Sequence, residues 1–512
     1  MSTLTAISNK IKTPQELSRV VEKMKQKGKK VVLCHGVFDL VHLGHIRHFN
    51  MAKKEGDILI VSLTRDKYVK RGPGRPIFNE HLRAETLASL AMTDYVSIVD
   101  STTATDFIKK VKPDIYAKGV EYKQKEKDVT GKIYEEEEAI RSVGGRIVFT
   151  DDITFSSSTL INSYLDVYPP RTVKYLRAIA KRHSIEFIID SLQKLKNMKA
   201  LVIGDAIIDQ YHYTHSMGKS SKEHLIVNRH VSQEMFAGGS LATANNAASV
   251  CGKVDLLTVL GEKDSHREFI ERKLNPNIHP IFFVRPETGT IVKRRYVDQY
   301  SNRKLFEICF MRDDDIPKSV ETKIAQKIEK IIGQYDLVIV SDFGHGLLTS
   351  RIIQLICAKS KYLALNVQTN SANLGYNLVT KYPKANCVCV DEMELRLASH
   401  DKFSDIRALT KNVYNQMGCE VMIATRGASG SLCYSRTEGY HETPAFAYRV
   451  VDPIGAGDAF FAFVGPCFAS GMSQDLVSFI GNAVGSLAVQ IVCNREPVNF
   501  VDLSKFITRL LK

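Results

Sequence analysis

From Lys30 to about Leu165, short apolar runs recur between segments of helical length: VVLCHGVF, DILIVSLT, YVSIVD, DIYAKG and GGRIVFT. Runs of five or six β-branched and aliphatic residues are buried strands, and helix-length spacers between them are the crossovers that parallel strands require. The pattern predicts a doubly wound α/β domain. Pro169-Pro170 then interrupts the chain, because neither proline donates a backbone hydrogen bond and each restricts the residue before it. After a charged helical connector a second series begins: KALVIGDAIID, VDLLTVLG, DLVIVSD, YLALNV, CVCVD and CEVMIATRG. The expected organisation is α/β throughout, with a domain over 1–170, a helical linker over 171–198 and a larger α/β domain over 199–512. No internal repeat or low-complexity tract competes with this reading.

Composition narrows the function classes. A chain of 512 residues is too long for one ordinary core, and 44% hydrophobic with 25% charged residues is the balance of a soluble globular protein. The formal charge of +14 is compatible with nucleic acid, an anionic surface or small anionic substrates. The one dense basic stretch, KMKQKGKK (23–30), is followed by no nucleic-acid module, so small anions are the expected partners and nucleic acid is not. Ten cysteines without a C-x-x-C pair argue against a disulfide framework or structural zinc. The N-terminus MSTLTAISNKIK lacks a leader's apolar region, and no apolar run reaches the ~20 residues needed to span a bilayer. A cytoplasmic protein without membrane partners is expected.

Candidate chemistry concentrates in two places. The first is GVFDLVHLGH, where a strand pattern feeds straight into a helix that starts near His42 and stops at Gly56. Such a junction aims the helix's first N–H groups and its positive dipole end at the edge of the sheet, which makes an anion site. Gly44 lets backbone approach a phosphate closely. His42 and His45 are spaced i, i+3 with no acidic partner, whereas helical zinc histidines sit at i, i+4, so phosphate chemistry is the better reading.

These residues resemble the H-x-G-H motif of the nucleotidyltransferase superfamily, in its cytidylyltransferase-like branch. RPIFNEHLR (75–83), PDIYAKGVEY (113–122) and FSSSTLI (155–161) resemble further segments of heptose-phosphate nucleotidyltransferases, in the same order. The arginine that glycerol-3-phosphate cytidylyltransferases carry before the Ser/Thr motif is absent from TDDITFSSS. The resemblance implies in-line attack of a sugar phosphate oxygen on the α-phosphorus of a nucleoside triphosphate, releasing pyrophosphate. His42 and His45 would donate to phosphoryl oxygens in the transition state, with Gly36, Phe38 and Gly44 lining the nucleotide. Ser156, Ser157 and Ser158 would hold the β and γ phosphates, and Lys53, Arg83 and Lys118 would supply counter-charge, with Mg²⁺ bridging the phosphates. His48 is expected to be a bystander. ATP is the expected nucleotide, with CTP or GTP as alternatives.

The second place is DPIGAGDAFF (452–461), a glycine-rich turn opening a helix, with Asp458 placed to take a proton from an attacking hydroxyl. With GDAIID (204–209), AGGSLATANNAA (237–248) and TRGASG (425–430) it resembles the ribokinase-like carbohydrate kinases over 199–512. By that resemblance Asp458 is the catalytic base, and Gly455, Ala456 and Gly457 stabilise the transferring phosphoryl group of ATP. Asp391 and Glu394 stand for a family Asn-x-x-Glu motif, Glu394 acting indirectly on Mg²⁺. Thr425, Gly427 and Asn482 line the nucleotide, and Asp209, Gly238, Gly239 and Asn245 line the sugar. Two departures bear on substrate: ALNVQTN stands where heptose kinases carry Asp-Pro-Lys, placing Asn366 first, and the asparagine after the double glycine is displaced to Asn245 or Asn246. No G-x-x-x-x-G-K-[ST], H-E-x-x-H or G-x-S-x-G occurs, which excludes a P-loop kinase and two hydrolase classes.

A kinase and a nucleotidyltransferase on one chain resemble the bifunctional enzymes of nucleotide-activated heptose synthesis, here with the order of the two halves reversed. The implied reactions are phosphorylation of D-glycero-D-manno-heptose 7-phosphate at O1 and nucleotidyl transfer to a heptose 1-phosphate, with a separate phosphatase between them. Alternatives are another sugar or polyol phosphate, or a kinase-like half acting as a sugar sensor. A homodimer is implied by resemblance alone.

Overall fold

In a computed structural model of the chain, residues 3–69, 75–120, 132–150, 168–447 and 449–512 are described. They form two compact units, one of Met1–Val167 with Ser504–Leu510 and Lys512, the other of Tyr168–Leu503 with Leu511.

The first unit is built on β1 (Val31–Gly36), β2 (Ile58–Thr64), β3 (Tyr95–Val99), β4 (Ile115–Gly119) and β5 (Arg146–Thr150). They lie in the order β3-β2-β1-β4-β5, and every pairing is parallel. Strand order reverses beside β1, so a crevice opens at the carboxyl ends of β1 and β4, where doubly wound sheets bind ligands. β2 is buried along its whole length, because helices cover both faces. Two apolar clusters flank the sheet, one around Leu33, Phe107 and Ile140, the other around Cys34, Phe49 and Leu87.

The second unit carries β6 (Lys199–Gly204), β7 (Ala206–Lys219), β8 (Ile226–Gly239), β9 (Lys253–Lys263), β10 (Ile278–Gly289), β11 (Ile291–Asp298), β12 (Lys304–Phe310), β13 (Leu337–Asp342), β14 (Leu363–Val367), β15 (Cys387–Asp391), β16 (Val421–Thr425), β17 (Ser431–Ser435) and β18 (Gly439–Thr443). Nine of them make one sheet in the order β10-β9-β6-β13-β14-β15-β16-β17-β18, parallel as far as β16 and antiparallel beyond it. The other four make a second sheet, β12-β11-β7-β8. KALVIGDAIID reads as one strand, but the chain changes sheets within it, at Asp205. Gly204 permits the crossing, since a Cβ there would lie 2.1 Å from the Ser341 carbonyl oxygen. The helices Pro170–Arg182 and Ile185–Lys194 precede β6. The first docks on its own unit through Tyr175 Oη to Thr443 Oγ1 (3.1 Å) and Arg182 to Asp475 (2.7 Å). All ten cysteines are free. No helix among the described residues is long and apolar enough to cross a membrane.

Candidate active sites

At the end of β1 the chain turns through Phe38, which holds φ +49°, and enters the helix Leu43–Lys54. Gly36 makes room for that turn: a Cβ would lie 2.9 Å from the Phe38 ring. The ring packs edge-on against His45, 5.3 Å between centroids, and against Phe49. His42 is the N-cap. Its Nδ1 accepts from the Gly44 N–H at 3.2 Å, and the Nδ1 of His45 accepts from the His42 N–H at 3.4 Å. This is a capping box made from two imidazoles. It has a chemical consequence, because a neutral imidazole whose Nδ1 accepts must carry its proton on Nε2. Burial pushes the His42 pKa down and so favours the neutral form. Its Nε2 is buried without a hydrogen-bond partner, a donor left for a ligand.

Around this pair the sequence expectations divide. Gly44 spends its N–H on the His42 cap. Lys53 must be corrected: it lies near the far end of the helix, roughly 15 Å along the axis, and its ammonium pairs with the Asp94 carboxylate and the Asp57 carbonyl. Arg83 is corrected too. Its guanidinium is buried and donates to the carbonyls of Phe78, Val37 and Thr64 and to the Asp66 carboxylate. It ties the chain after β1 to the end of β2 and is no mobile counter-charge. Lys118 lies near the end of β4 but is buried with its charge matched by Glu136 at 2.8 Å. His48, expected to be a bystander, bonds Thr150 Oγ1 at 2.6 Å, at the end of β5. Ser156, Ser157 and Ser158 lie outside the described residues. Sequence reasoning missed Asp39 and Arg75, a buried ion pair at 2.7 Å beneath the histidine loop. Its partners stand far apart in sequence, so no local signal marks it.

In the second unit, Gly455 caps the helix Ala456–Ala469 with φ +84°. A Cβ there would meet Asn494 Oδ1 at 2.1 Å, whereas at Gly457 it would meet nothing within 4 Å. Asp452 anchors this turn, accepting from Tyr211 Oη (2.8 Å), Lys304 Nζ (2.6 Å), the Ile454 N–H (3.1 Å) and the Cys493 N–H (3.1 Å). Asp458 is buried, and that burial pushes its pKa up to about 7. The bond from Gln368 Nε2 (2.6 Å) opposes the rise, the Asp209 charge adds to it and Lys293 opposes it. A carboxylate poised near neutrality is what general-base work requires.

Asp209 is buried against Arg295 on β11, which also pairs with Glu307 at 2.6 Å. Gly238 exists for this carboxylate, since a Cβ at 238 would lie 2.0 Å from Asp209 Oδ2. Gly239, at φ +58°, also passes close to the Asp205 carbonyl, where a Cβ would lie 2.6 Å away. Asp391 caps the helix Glu392–Ala398 and Glu394 completes the capping box, also accepting from the Thr369 N–H at 3.0 Å. Burial raises Glu394 to about 7. Thr425 ends β16, and Gly427 at φ +52° faces open space.

Two transfers fail here. Asn245 is a staple, its amide bonded to the Lys273 carbonyl (3.0 Å) and its oxygen to the Asn275 N–H (2.9 Å). Asn246 is similarly bound to Ala242 and Val498. Asn482 is buried, its amide donating to Ser431 Oγ and the Ser478 carbonyl, so it packs a helix on β17. Asn366 anchors Gln368, accepting from it at 3.1 Å while donating to the Cys389 carbonyl at 2.9 Å. Gln368, Lys293 and Arg295 were not foreseen.

Residues 33–163 match the cytidylyltransferase-like family, and residues 197–494 the pfkB family of carbohydrate kinases. The Bifunctional protein HldE of Desulfatibacillum aliphaticivorans is 37% identical over 158 residues, 30% of this chain and 31% of that protein. That of Campylobacter jejuni strain RM1221 is 43% identical over 122 residues, 23% and 26% of the two. The matched part thus spans about a third or less of these curated relatives. Phosphofructokinase-2 from Escherichia coli, solved in complex with substrates and products, superposes with TM-score 0.50 at 14% identity, covering 62% of this chain and all of that one, a likeness of fold. With its family match running over more than half its length, behind a cytidylyltransferase-like domain, this chain belongs to the pfkB family of carbohydrate kinases.

Proposed function

We propose that the chain is a bifunctional enzyme of nucleotide-sugar synthesis. Its second unit phosphorylates a sugar phosphate, D-glycero-D-manno-heptose 7-phosphate at O1, and its first transfers a nucleotide to the resulting class of sugar 1-phosphate. The observation that carries the kinase half is Asp458, buried at a helix N-terminus with its pKa near 7. In the reaction Asp458 takes the proton of the sugar hydroxyl as that oxygen attacks the γ-phosphorus of ATP, and ADP departs. The amides at the start of Ala456–Ala469 receive the charge that spreads over the phosphoryl oxygens. In the first unit the sugar phosphate oxygen attacks the α-phosphorus and pyrophosphate leaves. The Nε2–H of His42, left without a partner, would donate to an oxygen on that phosphorus, and such a donor is worth ~3 kcal/mol in the transition state.

Among the described residues no cluster of three or more His, Cys, Asp or Glu could hold a metal. The oxygen donors present by the nucleotide region are the exposed Asp391 and the Glu394 carboxylate beside it. They suit a Mg²⁺ held mainly by phosphates and water, which would neutralise the triphosphate.

The locking of Asn245 and Asn246 into structural bonds favours a second reading of the sugar, in which the kinase acts on another sugar phosphate. Supplying the protein with ATP, Mg²⁺ and heptose 7-phosphate, and following products by mass spectrometry and phosphorus NMR, separates the two. A 1,7-bisphosphate that vanishes in Asp458→Asn supports the heptose reading. Its absence from wild-type protein that phosphorylates a different sugar phosphate overturns it.

A further inference from the structure

The second unit contains a cleft, part of it open to solvent, among the ends of β6, β9 and β10 and the loop after β13. Asp205, Arg285, Thr288, Ile291, Arg312 and His345 are among its walls. Two backbone features shape it. β10 slips register against β9 between Arg285 and Gly289, where Glu287 holds φ +59°. Gly346, at φ +91°, lets the loop after β13 pass so close to the Asp314 carbonyl that a Cβ would lie 2.0 Å from it.

Two buried nitrogens line this cleft without partners: Arg285 Nε and His345 Nε2. Arg285 is 6% exposed and His345 3%. Neither is idle by accident of mobility. Arg285 Nη2 is fixed by the Asp314 carboxylate and Arg312 Nε by the same group at 2.9 Å. His345 Nδ1 bonds Asp313 at 3.0 Å. A carboxylate can only accept, so that bond puts a proton on Nδ1 and leaves Nε2 as an unpartnered acceptor. The walls of this one cleft therefore carry both a fixed guanidinium N–H and an imidazole nitrogen without partners. A phosphate monoester matches this pair, since its oxygens accept from Arg285 and its second proton, lost near pH 6, can be shared with His345. A simple carboxylate gives the imidazole no proton at neutral pH.

The cleft also lies at the right end of the molecule. Ile291, in its wall, and Lys293, whose charge acts on Asp458, are two residues apart on one face of β11, about 7 Å. That is comparable with the span of a sugar from its anomeric carbon to its terminal carbon. The next residue on the face, Arg295, grips Asp209. Resting on the kinase reading above, we propose that this cleft holds the phosphate which the sugar substrate already carries, with Arg285 and His345 as its ligands, while the sugar extends along β11 towards Asp458.

The test is calorimetric binding to the full chain without ATP, so a protein that transfers no phosphoryl group still answers it. Heptose 7-phosphate, unphosphorylated heptose and inorganic phosphate are titrated separately. Arg285→Lys keeps a cation for Asp314 but lacks Nε, and His345→Phe keeps the ring's bulk. Each is expected to weaken heptose 7-phosphate and inorganic phosphate by ~10- to 100-fold, the usual worth of a charge-assisted bond, and to leave unphosphorylated heptose unchanged. Equal weakening of both sugars, or no weakening of either, in variants with wild-type circular dichroism overturns the proposal. So does loss of inorganic phosphate binding alone, which would make the cleft a site for free phosphate. If the kinase assay fails with heptose 7-phosphate yet its binding depends on Arg285, the transfer reading falls and the phosphate cleft stands.

Discussion

In Asp458 the proposed role of base and its cost in stability reside in the same atoms. Its pKa is pushed up to about 7, far above an unfolded aspartate near 3.9, so the folded state favours the protonated form. Stability from this group is fully present below about pH 4 and is lost as pH rises through 7. Asparagine cannot ionise, so Asp458→Asn should raise the melting temperature of its unit by a few degrees at pH 8 and by less at pH 5, while phosphoryl transfer falls by ~10³ or more. In the wild type, kcat/KM for transfer should fall tenfold per pH unit below about 7, read from initial rates. His42 separates along a different line. His42→Asn retains an acceptor for the Gly44 N–H, so melting should change little, yet nucleotidyl transfer should fall ~10²- to 10³-fold. His42→Ala should lose the cap as well, about 1 kcal/mol. The two histidines were legible because their spacing and the strand before them are local. Lys53, Arg83 and Lys118 were not, since each is claimed by a partner distant in sequence: Asp94, the Val37 and Thr64 carbonyls, and Glu136.

Among elements, glycine turns distinguish space from shape. Gly238→Ala should push Asp209 off its place, raising the sugar KM or lowering kcat at least tenfold with little change in ATP affinity. At Gly455 both φ and Asn494 forbid a side chain, so Gly455→Ala should cost more than ~1 kcal/mol in a denaturant melt. Gly457→Ala faces no protein atom and gains helix propensity. It should be as stable as the wild type, and any loss should appear in the KM for ATP, because only a bound phosphate would meet the new methyl. Core strands such as β2, β13 and β15 could be read from sequence as continuous apolar runs, a consequence of burial on both faces. The sheet β12-β11-β7-β8 could not. β12 is exposed almost throughout and β8 over its first half, so neither apolar runs nor clean alternation marks them. That sheet holds Arg295 and Lys293, which is why the groups that tune Asp209 and Asp458 escaped notice.

Across the whole chain, the formal charge of +14 is spread over a protein whose two predicted reactions both handle polyanions, and the cations at the two sites are mostly held by carboxylates. Arg295 with Asp209, Lys118 with Glu136 and Arg285 with Asp314 are pre-set positions whose geometry is bought by pairing. The groups proposed to act in each reaction, His42 and His45 in one unit and Asp458 in the other, belong to units with their own apolar cores, around Leu33 and Phe49 in the first and around Ile324, Leu365 and Met422 in the second. Neither set of groups draws on the other unit's core, so the two activities should be separable by point mutation. Asp458→Asn should leave pyrophosphate release from ATP and heptose 1-phosphate within twofold of wild type, and His45→Asn should leave formation of the 1,7-bisphosphate equally intact. Phosphorus NMR resolves both products in one tube. Calorimetric melting adds a physical readout: two cores should give two transitions, with heptose 7-phosphate raising only the one that Asp458→Asn also shifts. A single transition, moved as a whole by either ligand, would mean the units unfold as one and that mutations in one half propagate to the chemistry of the other.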